Sequence, residues 1–430
     1  MVFICDMKKL INSVLYSPSR IKLISNFLSL SFIQGANYLI PLLILPYIVR
    51  VIGPEKFGLL SYSQSFIYYF TIIINYSFDY TATRDISLNR EDAEKVSIIY
   101  SSVFFSKLIL FIISTIIFAI TILSIDKFNQ NLQLYCLTYL INIGFVFFPS
   151  WFFQGIEKLT KTSVFNFLTK IIFASVIIFF ISKKEDYLYY AFGTSIAQIT
   201  TGIIAFLYAI RNYKIKISII PWSDLFQTFK QGFPVFFSNV AASLYATTNL
   251  IILGFFISEK EYGYFSAALK IASVIYMLII LPLSMTLFPH IGKAMQNSNH
   301  EGIQIIKKYL KYVAVITLFL AFIVFVFAEQ LIVLLFGNEF IAGAFYLKIL
   351  AFMPFFSGIN NLISIQGLLN LKKDRIFLIF TLATLLLSII LNFILVPLFH
   401  AVGTAIILLL VEIFMATLSA FYVFKRIELQ

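Results

Sequence analysis

Charged residues are scarce in this chain. Only 12% of its 430 residues are charged, 60% are hydrophobic, and the mean hydropathy is +0.93. A soluble domain carries about 25% charged residues. No water-soluble fold could bury so large an apolar fraction, so the composition excludes a soluble protein and predicts an integral membrane protein.

The residue types that build metal sites and many catalytic sites are also scarce. The two cysteines, Cys5 and Cys136, provide neither a disulfide framework nor a metal cluster. The three histidines, His290, His300 and His400, are far apart in sequence. No phosphate-binding glycine loop of the P-loop kind occurs, which argues against ATP hydrolysis. The sequence therefore predicts no enzyme, no resident cofactor and no metal. No cleavable signal peptide is evident in residues 1–20.

Long apolar stretches, in contrast, recur along the whole chain. A helix needs about 20 apolar residues to cross a bilayer. Twelve stretches have roughly this length and predict an all-α protein with about twelve transmembrane helices, at 24–49, 58–79, 98–124, 131–153, 162–182, 187–210, 229–257, 264–289, 309–328, 344–366, 376–396 and 401–424.

The lysines and arginines are distributed unequally between the two ends of these helices. The termini and the loops after even-numbered helices hold 22 of them, the loops on the opposite side hold 6, and 4 lie within apolar stretches. Basic residues mark the cytoplasmic side of a membrane protein. We therefore expect both termini in the cytoplasm, and we attribute the net charge of +12 to membrane orientation rather than to nucleic-acid binding.

Short sequence matches recur in the same order in the two halves of the chain. They are offset by 210, 212 and 205 positions, and they pair 191–196 with 401–406, 154–161 with 366–373, and 55–61 with 260–266. The pattern predicts two six-helix lobes, 1–210 and 231–430, joined by a basic cytoplasmic linker at 211–230. Six helices per lobe give both lobes the same orientation, related by a pseudo-twofold axis along the membrane normal. Two such halves are typical of transporters that rock.

Four motifs resemble those of the polysaccharide transporters, the O-antigen flippases whose superfamily also contains the MATE-type multidrug exporters. They are RVIGPEKFG at 50–58 with RDI at 84–86, FPSWFFQGIEK at 148–158, YGYFSAALKI at 262–271, and LFGNEF at 335–340. The resemblance implies a MATE-like fold and a flippase for undecaprenyl-pyrophosphate-linked oligosaccharide in a bacterial inner membrane. It also leaves open contacts with a polysaccharide polymerase and a chain-length regulator.

Polar groups within apolar stretches are the candidate site residues. A charge at the bilayer centre costs about 2.5–3.5 kcal/mol on insertion scales, so it is usually retained for a partner or a cavity. Lys107, Lys170 and Lys270 are candidate contacts for an anionic pyrophosphate, although long side chains can also snorkel to the interface. The sequence leaves open whether Lys107 lies deep in the membrane or near its boundary. Arg50 and Arg84, at opposite membrane faces, are candidate headgroup contacts or simple anchors.

The acids within the membrane are fewer. Glu412 lies near the middle of the twelfth predicted helix, and Asp79 lies at the cytoplasmic end of the second. A buried carboxylate needs a partner or a proton. Glu412 is therefore a candidate ion-coupling residue, with Asp79 as a second, or else it makes a structural contact with a lysine. Several amides, including Asn75, Asn360 and Asn361, also lie within apolar stretches and need hydrogen-bond partners.

Two other function classes are compatible with parts of this pattern. A MATE-type exporter of small molecules would share the fold. A membrane polysaccharide polymerase or ligase would need a sizeable outer loop with catalytic charges, and the predicted outer loops are short. The leading interpretation is an ion-gradient-coupled flippase that works by alternating access, with lipids and the polyprenyl-linked glycan as its partners.

Overall fold

A computed structural model describes the backbone of residues 18–427 and the side chains of 40, 43–237, 239–241, 243–244 and 247–424. Cys5 and both chain termini lie outside the described residues. Within 18–427 every regular element is helical, which confirms the predicted all-α fold.

The helices follow the predicted spans closely. We number them α1 (18–52), α2 (54–75, continued by Phe78–Asn89), α3 (Ala93–Ser124), α4 (Leu132–Gly155), α5 (Leu159–Phe180), α6 (Tyr187–Tyr213), α7 (Trp222–Phe256), α8 (Glu259–Asn297), α9 (Asn299–Val326), α10 (Gly343–Leu369), α11 (374–399) and α12 (401–420, continued by Phe421–Ile427). Short helices at Asp126–Asn129 and Ala328–Phe336 lie between α3 and α4 and between α9 and α10.

Two kinks divide long helical stretches into separate limbs. α1 meets α2 at Gly53 (φ 74°), and α11 meets α12 at His400 (φ 50°). A positive φ is easy for glycine because it has no Cβ. Nine stretches of the described residues are long and apolar enough to cross a bilayer. Because two of these stretches contain two limbs each, and α7 adds a further long helix, the described chain contains the twelve predicted helices.

The helices α4 and α10 are interrupted at prolines that are 205 positions apart. α4 is interrupted at Phe148 and Pro149 before Ser150, and α10 is interrupted at 351–352, so that its next segment begins at Met353 with Pro354 in its first turn. Proline lacks the N–H that would bond the carbonyl four residues earlier. The sequence repeat therefore extends to the positions at which the helices break.

The apolar core divides into three clusters. We refer to α1–α6 as the N-lobe and to α7–α12 as the C-lobe. One cluster contains residues of both lobes, such as Ile52 and Phe57 with Phe265 and Phe340, near the face opposite the predicted cytoplasmic side. The other two clusters are centred in one lobe each. A shared core thus joins the lobes near this outer face.

Two glycines at equivalent positions of the repeat bring the lobes into backbone contact within that core. A Cβ at Gly58 would overlap the carbonyl oxygen of Glu259, and a Cβ at Gly263 would overlap that of Pro54. The first turns of α2 and α8 therefore touch, as expected for segments next to a pseudo-twofold axis.

Residues 214–221 form the non-helical part of the predicted linker. The backbone N–H groups of Lys216 and Ser218 donate to the hydroxyls of Ser97 and Ser101 on α3, at 3.2 and 3.1 Å. These bonds hold the extended linker against the N-lobe, and Pro221 precedes the first turn of α7.

Candidate functional site

A polar cavity lies within the described part of each lobe. The N-lobe cavity has a volume of about 440 Å³ and lies between α2, α4 and α5, at their predicted cytoplasmic ends. Its lining combines amides, hydroxyls, one carboxylate and aromatic rings, and consists of Asn75, Asp79, Tyr80, Phe145, Phe148, Ser150, Gln154, Thr162 and Asn166.

Two helix breaks shape the N-lobe cavity. α2 is interrupted after Asn75, where Tyr76 adopts φ 51°, and α4 is interrupted at Pro149. Because Pro149 has no N–H, the carbonyl of Phe145 lacks its helical partner. The Lys107 ammonium donates to this carbonyl at 3.1 Å and to the Asn75 side-chain oxygen at 3.1 Å. Lys107 thus donates a hydrogen bond at each break, to a side-chain oxygen in α2 and to a backbone carbonyl in α4.

The structure places Lys107 in the interior of the N-lobe. Its side chain is buried, with 2% of the residue exposed, and it reaches from α3 to α2 and α4. Irregular backbone at membrane depth is tolerated only where protein or a cavity surrounds it. Lys107 accordingly lies inside the lobe, next to the cavity.

Asp79 lies in the first turn of the second segment of α2. Its carboxylate accepts a hydrogen bond from the Ser150 hydroxyl at 2.8 Å. Since Ser150 begins the last segment of α4, this bond ties the two restarted helices together. The predicted residues Asp79 and Lys107 therefore belong to one site, on either side of Asn75.

The C-lobe cavity has a volume of about 310 Å³ and lies between α8, α10, α11 and α12. These helices, apart from α12, are the repeat counterparts of α2, α4 and α5. Its lining consists of Tyr276, Met353, Ser357, Asn360, Asn361, Ser364, Ile365, Phe377, Thr381, Thr384, Glu412 and Met415.

Glu412 takes part in a hydrogen-bond network within this cavity. Its carboxylate accepts from the Asn360 amide at 2.6 Å, and the Asn360 oxygen accepts from Ser364 at 2.6 Å. The Ser364 hydroxyl lies 2.8 Å from that of Ser419. Asn361 bonds Tyr276 on α8. The partner of Glu412 in this network is thus an amide on α10. The sequence had suggested a lysine as the partner if the role of Glu412 were structural.

The lysines Lys170 and Lys270 are half-buried, and among the described residues neither has a hydrogen-bond or ion-pair partner. Lys170 lies on α5 one turn beyond Asn166 and two turns beyond Thr162, so these three side chains share one helix face. Lys270 lies on α8 with its ammonium 5.8 Å from the Phe57 ring centroid, at the junction of the lobes. The two lysines therefore occupy different lobes.

The predicted arginines lie at the surface, away from both cavities. Arg50 donates to the carbonyls of Leu334 and Leu335 across the lobe junction, the latter at 3.2 Å. Arg84 pairs with the adjacent Asp85 at 3.0 Å. Lys184 and Glu339 form a second contact between the lobes near Arg50, at 3.1 Å.

Sequence reasoning missed part of both cavities. Thr162 and Asn166 line the N-lobe cavity, and Ser364 links Asn360 to Ser419 in the C-lobe. Their spacing of four residues from another polar residue, as in Thr162, Asn166 and Lys170, was the available signal. Because short polar residues near predicted helix ends are also common at the membrane interface, this spacing did not distinguish them.

Comparison of the sequence with known proteins gives consistent relatives. The model of the "Polysaccharide biosynthesis protein" family matches residues 23–295. The "Putative O-antigen transporter" of Escherichia coli (strain K12) is 30% identical over 407 residues, which cover 95% of this chain and 98% of that protein. A protein of the same name from Shigella dysenteriae is 24% identical, covering 82% of this chain and 87% of its own length.

Comparison with solved structures supports the fold. The lipid II flippase MurJ in an inward closed conformation superposes with a TM-score of 0.77 at 15% identity, covering 93% of this chain and 88% of that chain. An inward-facing MATE-family multidrug transporter of the MOP superfamily gives a TM-score of 0.74 at 14% identity, covering 91% and 95%. The predicted MATE-like architecture is confirmed.

Proposed function

Because the chain belongs to the polysaccharide biosynthesis protein family, we propose that it is a flippase and not an enzyme. In this proposal it moves an undecaprenyl-pyrophosphate-linked oligosaccharide, such as an O-antigen or capsule repeat unit, across a bacterial inner membrane. Both termini face the cytoplasm. The observation that carries the proposal is 30% identity to an O-antigen transporter over 95% of the chain.

The charge distribution supports an anionic substrate. Lys170 and Lys270 lie within membrane helices, half-buried, with no acidic partner among the described residues. Cations in a cleft of low dielectric attract a pyrophosphate strongly. We assign both lysines to pyrophosphate binding, with Lys107 contributing at the N-lobe cavity. Arg84 and Arg50 would contact headgroups at the two membrane faces, while the polyprenyl chain stays in the lipid.

The arrangement of the lobes supports alternating access. The outer face is held by the Gly58–Gly263 contact, by Arg50 on the carbonyls of the C-lobe, and by Lys184 with Glu339. Opening toward the outer side has to break these contacts, whereas each lobe keeps its own core. Rocking of two rigid lobes therefore fits this junction.

A polymerase and a chain-length regulator are the further partners that we propose on the outer side.

Deletion of the gene tests the transport function. Lipid-linked repeat units should accumulate on the cytoplasmic leaflet, and the wild-type gene supplied in trans should clear them. Leaflet location is measured by access of a membrane-impermeant glycan probe in oriented vesicles. Absence of accumulation would contradict the flippase proposal. Export of a cationic drug by vesicles that contain the wild-type protein, and not by vesicles of the deletion strain, would favour a MATE-type exporter.

Glu412 is our candidate for the ion-coupling residue, with Asp79 as the second candidate. Glu412 is half-buried and hydrogen-bonded to Asn360, so protonation or cation binding would rearrange a defined network. The variant Glu412→Gln keeps an acceptor oxygen for Asn360 but cannot titrate. We expect flux in vesicles to lose its dependence on the proton or sodium gradient. Asp79→Asn is the matched variant, and unchanged gradient dependence in Glu412→Gln would refute the coupling role.

A further inference from the structure

The N-lobe cavity has unused hydrogen-bonding capacity. The side chains of Gln154, Thr162 and Asn166 have no hydrogen-bond partner among the described residues, and the Thr162 hydroxyl oxygen is inaccessible to solvent. A buried hydroxyl without a partner is costly, and a ligand that bonds Thr162 would remove that cost. Gln154 is half-buried and Asn166 is exposed, so their free amides can bond a polar ligand in place of water. The three side chains together indicate a site that a polar ligand completes.

The C-lobe cavity provides an internal comparison. There Asn360 bonds Glu412 and Ser364 bonds Ser419, while the buried Ser357 hydroxyl has no partner among the described residues. Asn360 of the C-lobe cavity thus bonds a neighbouring side chain, whereas Gln154 and Asn166 of the N-lobe cavity bond none among the described residues. The open bonds of the N-lobe are a property of its side chains and not of the fold.

The lining of the N-lobe cavity matches a neutral polyol better than other ligands. Amides and hydroxyls can donate and accept, as sugar hydroxyls require. The only carboxylate of the lining, Asp79, disfavours a phosphate, and an apolar ligand would leave the amides unpaired. The faces of Phe145 and Phe148 offer apolar surface for a ring. No group of three or more metal-ligating side chains occurs among the residues described.

The size and position of the cavity are also suitable. Small-molecule sites typically measure about 300–1,000 Å³, and this cavity measures about 440 Å³. Asn166 and Lys170 follow each other by one turn on α5, so a phosphate at Lys170 would leave the attached sugar within reach of Asn166. The bonds from Lys107 and Asp79 fix the surrounding backbone before a ligand arrives.

We propose that the N-lobe cavity is a carbohydrate subsite that binds a neutral sugar unit of the glycan, next to its pyrophosphate. This inference rests on the proposed flippase function and adds a substrate-recognition site to it. Gln154, Thr162 and Asn166 provide the hydrogen bonds, and α4 and α5 determine which sugars fit.

Fluorescence of Trp151 provides a direct binding test. The chain has two tryptophans, and Trp151 adjoins Ser150 in the cavity wall while Trp222 is exposed at the start of α7. The purified Trp222→Phe protein is titrated with the oligosaccharide released by mild acid from the lipid-linked glycan of the host cells. We expect a saturable change in emission. In Gln154→Ala/Asn166→Ala the dissociation constant should rise about thirtyfold, the equivalent of two neutral hydrogen bonds.

Matched controls make the test decisive. Asn212→Ala removes an exposed asparagine of α6 that bonds only its own helix and should bind like the parent. Undecaprenyl pyrophosphate without sugar should not displace the bound oligosaccharide from this site. Absence of saturable binding in the parent, or equal affinity in the double variant, overturns the subsite. Vesicle transport of the complete lipid-linked glycan then tells whether the flippase function survives that result.

Discussion

The N-lobe and C-lobe cavities occupy similar positions in the two lobes but differ in chemistry. In the N-lobe, Lys107 fixes two broken helices and leaves Gln154, Thr162 and Asn166 without partners. In the C-lobe, Glu412 belongs to a bonded network with Asn360. The repeat thus preserved the helices and the breaks, while the side chains took on different roles. We interpret the N-lobe cavity as a ligand-binding site. We interpret the C-lobe cavity as the site at which Glu412 binds a proton or a cation.

Disruption of the contact between the lobes at Gly58 and Gly263 should have the largest effect on transport. Gly58→Val or Gly263→Val places side-chain atoms on the opposing backbone, so the outer junction cannot close. We expect transport to be abolished and a cysteine at Ile52, which is buried there, to become reactive from the outer side. Gly292→Ala, whose Cβ meets only the Asn370 side chain, is the control. Wild-type transport in Gly263→Val would contradict the role of this contact.

Removal of the Lys107 ammonium should have the next largest effect. Lys107→Met keeps the apolar stem but leaves the Phe145 carbonyl and Asn75 without their donor. We expect the free energy of unfolding to fall by about 3 kcal/mol, since each hydrogen bond to a charged group contributes about 1.5–3 kcal/mol. The midpoint of thermal unfolding in one detergent measures it. Lys170→Met, which removes no bond, should unfold like wild type, and equal midpoints for both variants would argue against our account of the helix breaks.

The equivalent glutamines Gln154 and Gln366 sharpen the comparison further. Gln366 is fully buried and donates to the Ser284 carbonyl and hydroxyl, at 3.1 and 2.8 Å, whereas Gln154 lines the N-lobe cavity. Gln366→Ala should lower the stability by about 2 kcal/mol, and Gln154→Ala should leave it nearly unchanged while weakening glycan binding. Unfolding midpoints and Trp151 titrations of the two variants check this contrast. Similar destabilisation by both would contradict the assignment of Gln154 to ligand binding and of Gln366 to packing.

A pH-dependent contact of Glu329, in the short helix between α9 and α10, should show the smallest effect. Lys348 donates to Glu329 at 2.8 Å, and this hydrogen bond holds the pKa of the Glu329 carboxyl below its usual range. The stabilisation is therefore complete above the unfolded pKa of about 4.3 and is lost as the pH falls through the lower folded value. Both side chains are partly exposed, so the change should be small.

Unfolding midpoints of the wild type and of Glu329→Gln, measured at neutral and acidic pH, check this expectation. The two proteins should differ at neutral pH and converge in acid. In a Lys348→Met background the difference should disappear. A difference that persists in acid, or in that background, would assign it to another interaction.

Parts of both cavities could be predicted from the sequence. The apolar length of each span and the placement of basic residues indicated the helices. Asn75, Asn360 and Glu412 stood out because polar groups are costly in lipid. Thr162 and Asn166 did not, because a polar residue near a helix end is equally common at an interface.

The chain by itself thus determined that this is a two-lobed, twelve-helix membrane protein, since hydropathy and charge act along each segment separately. It also determined which polar groups needed partners. Only the tertiary structure decided which partners they found. Lys107 meets a carbonyl freed by a proline 42 positions away, and Glu412 meets Asn360 from another helix. Such pairings depend on how separate helices pack, and no pattern within one helix specifies them.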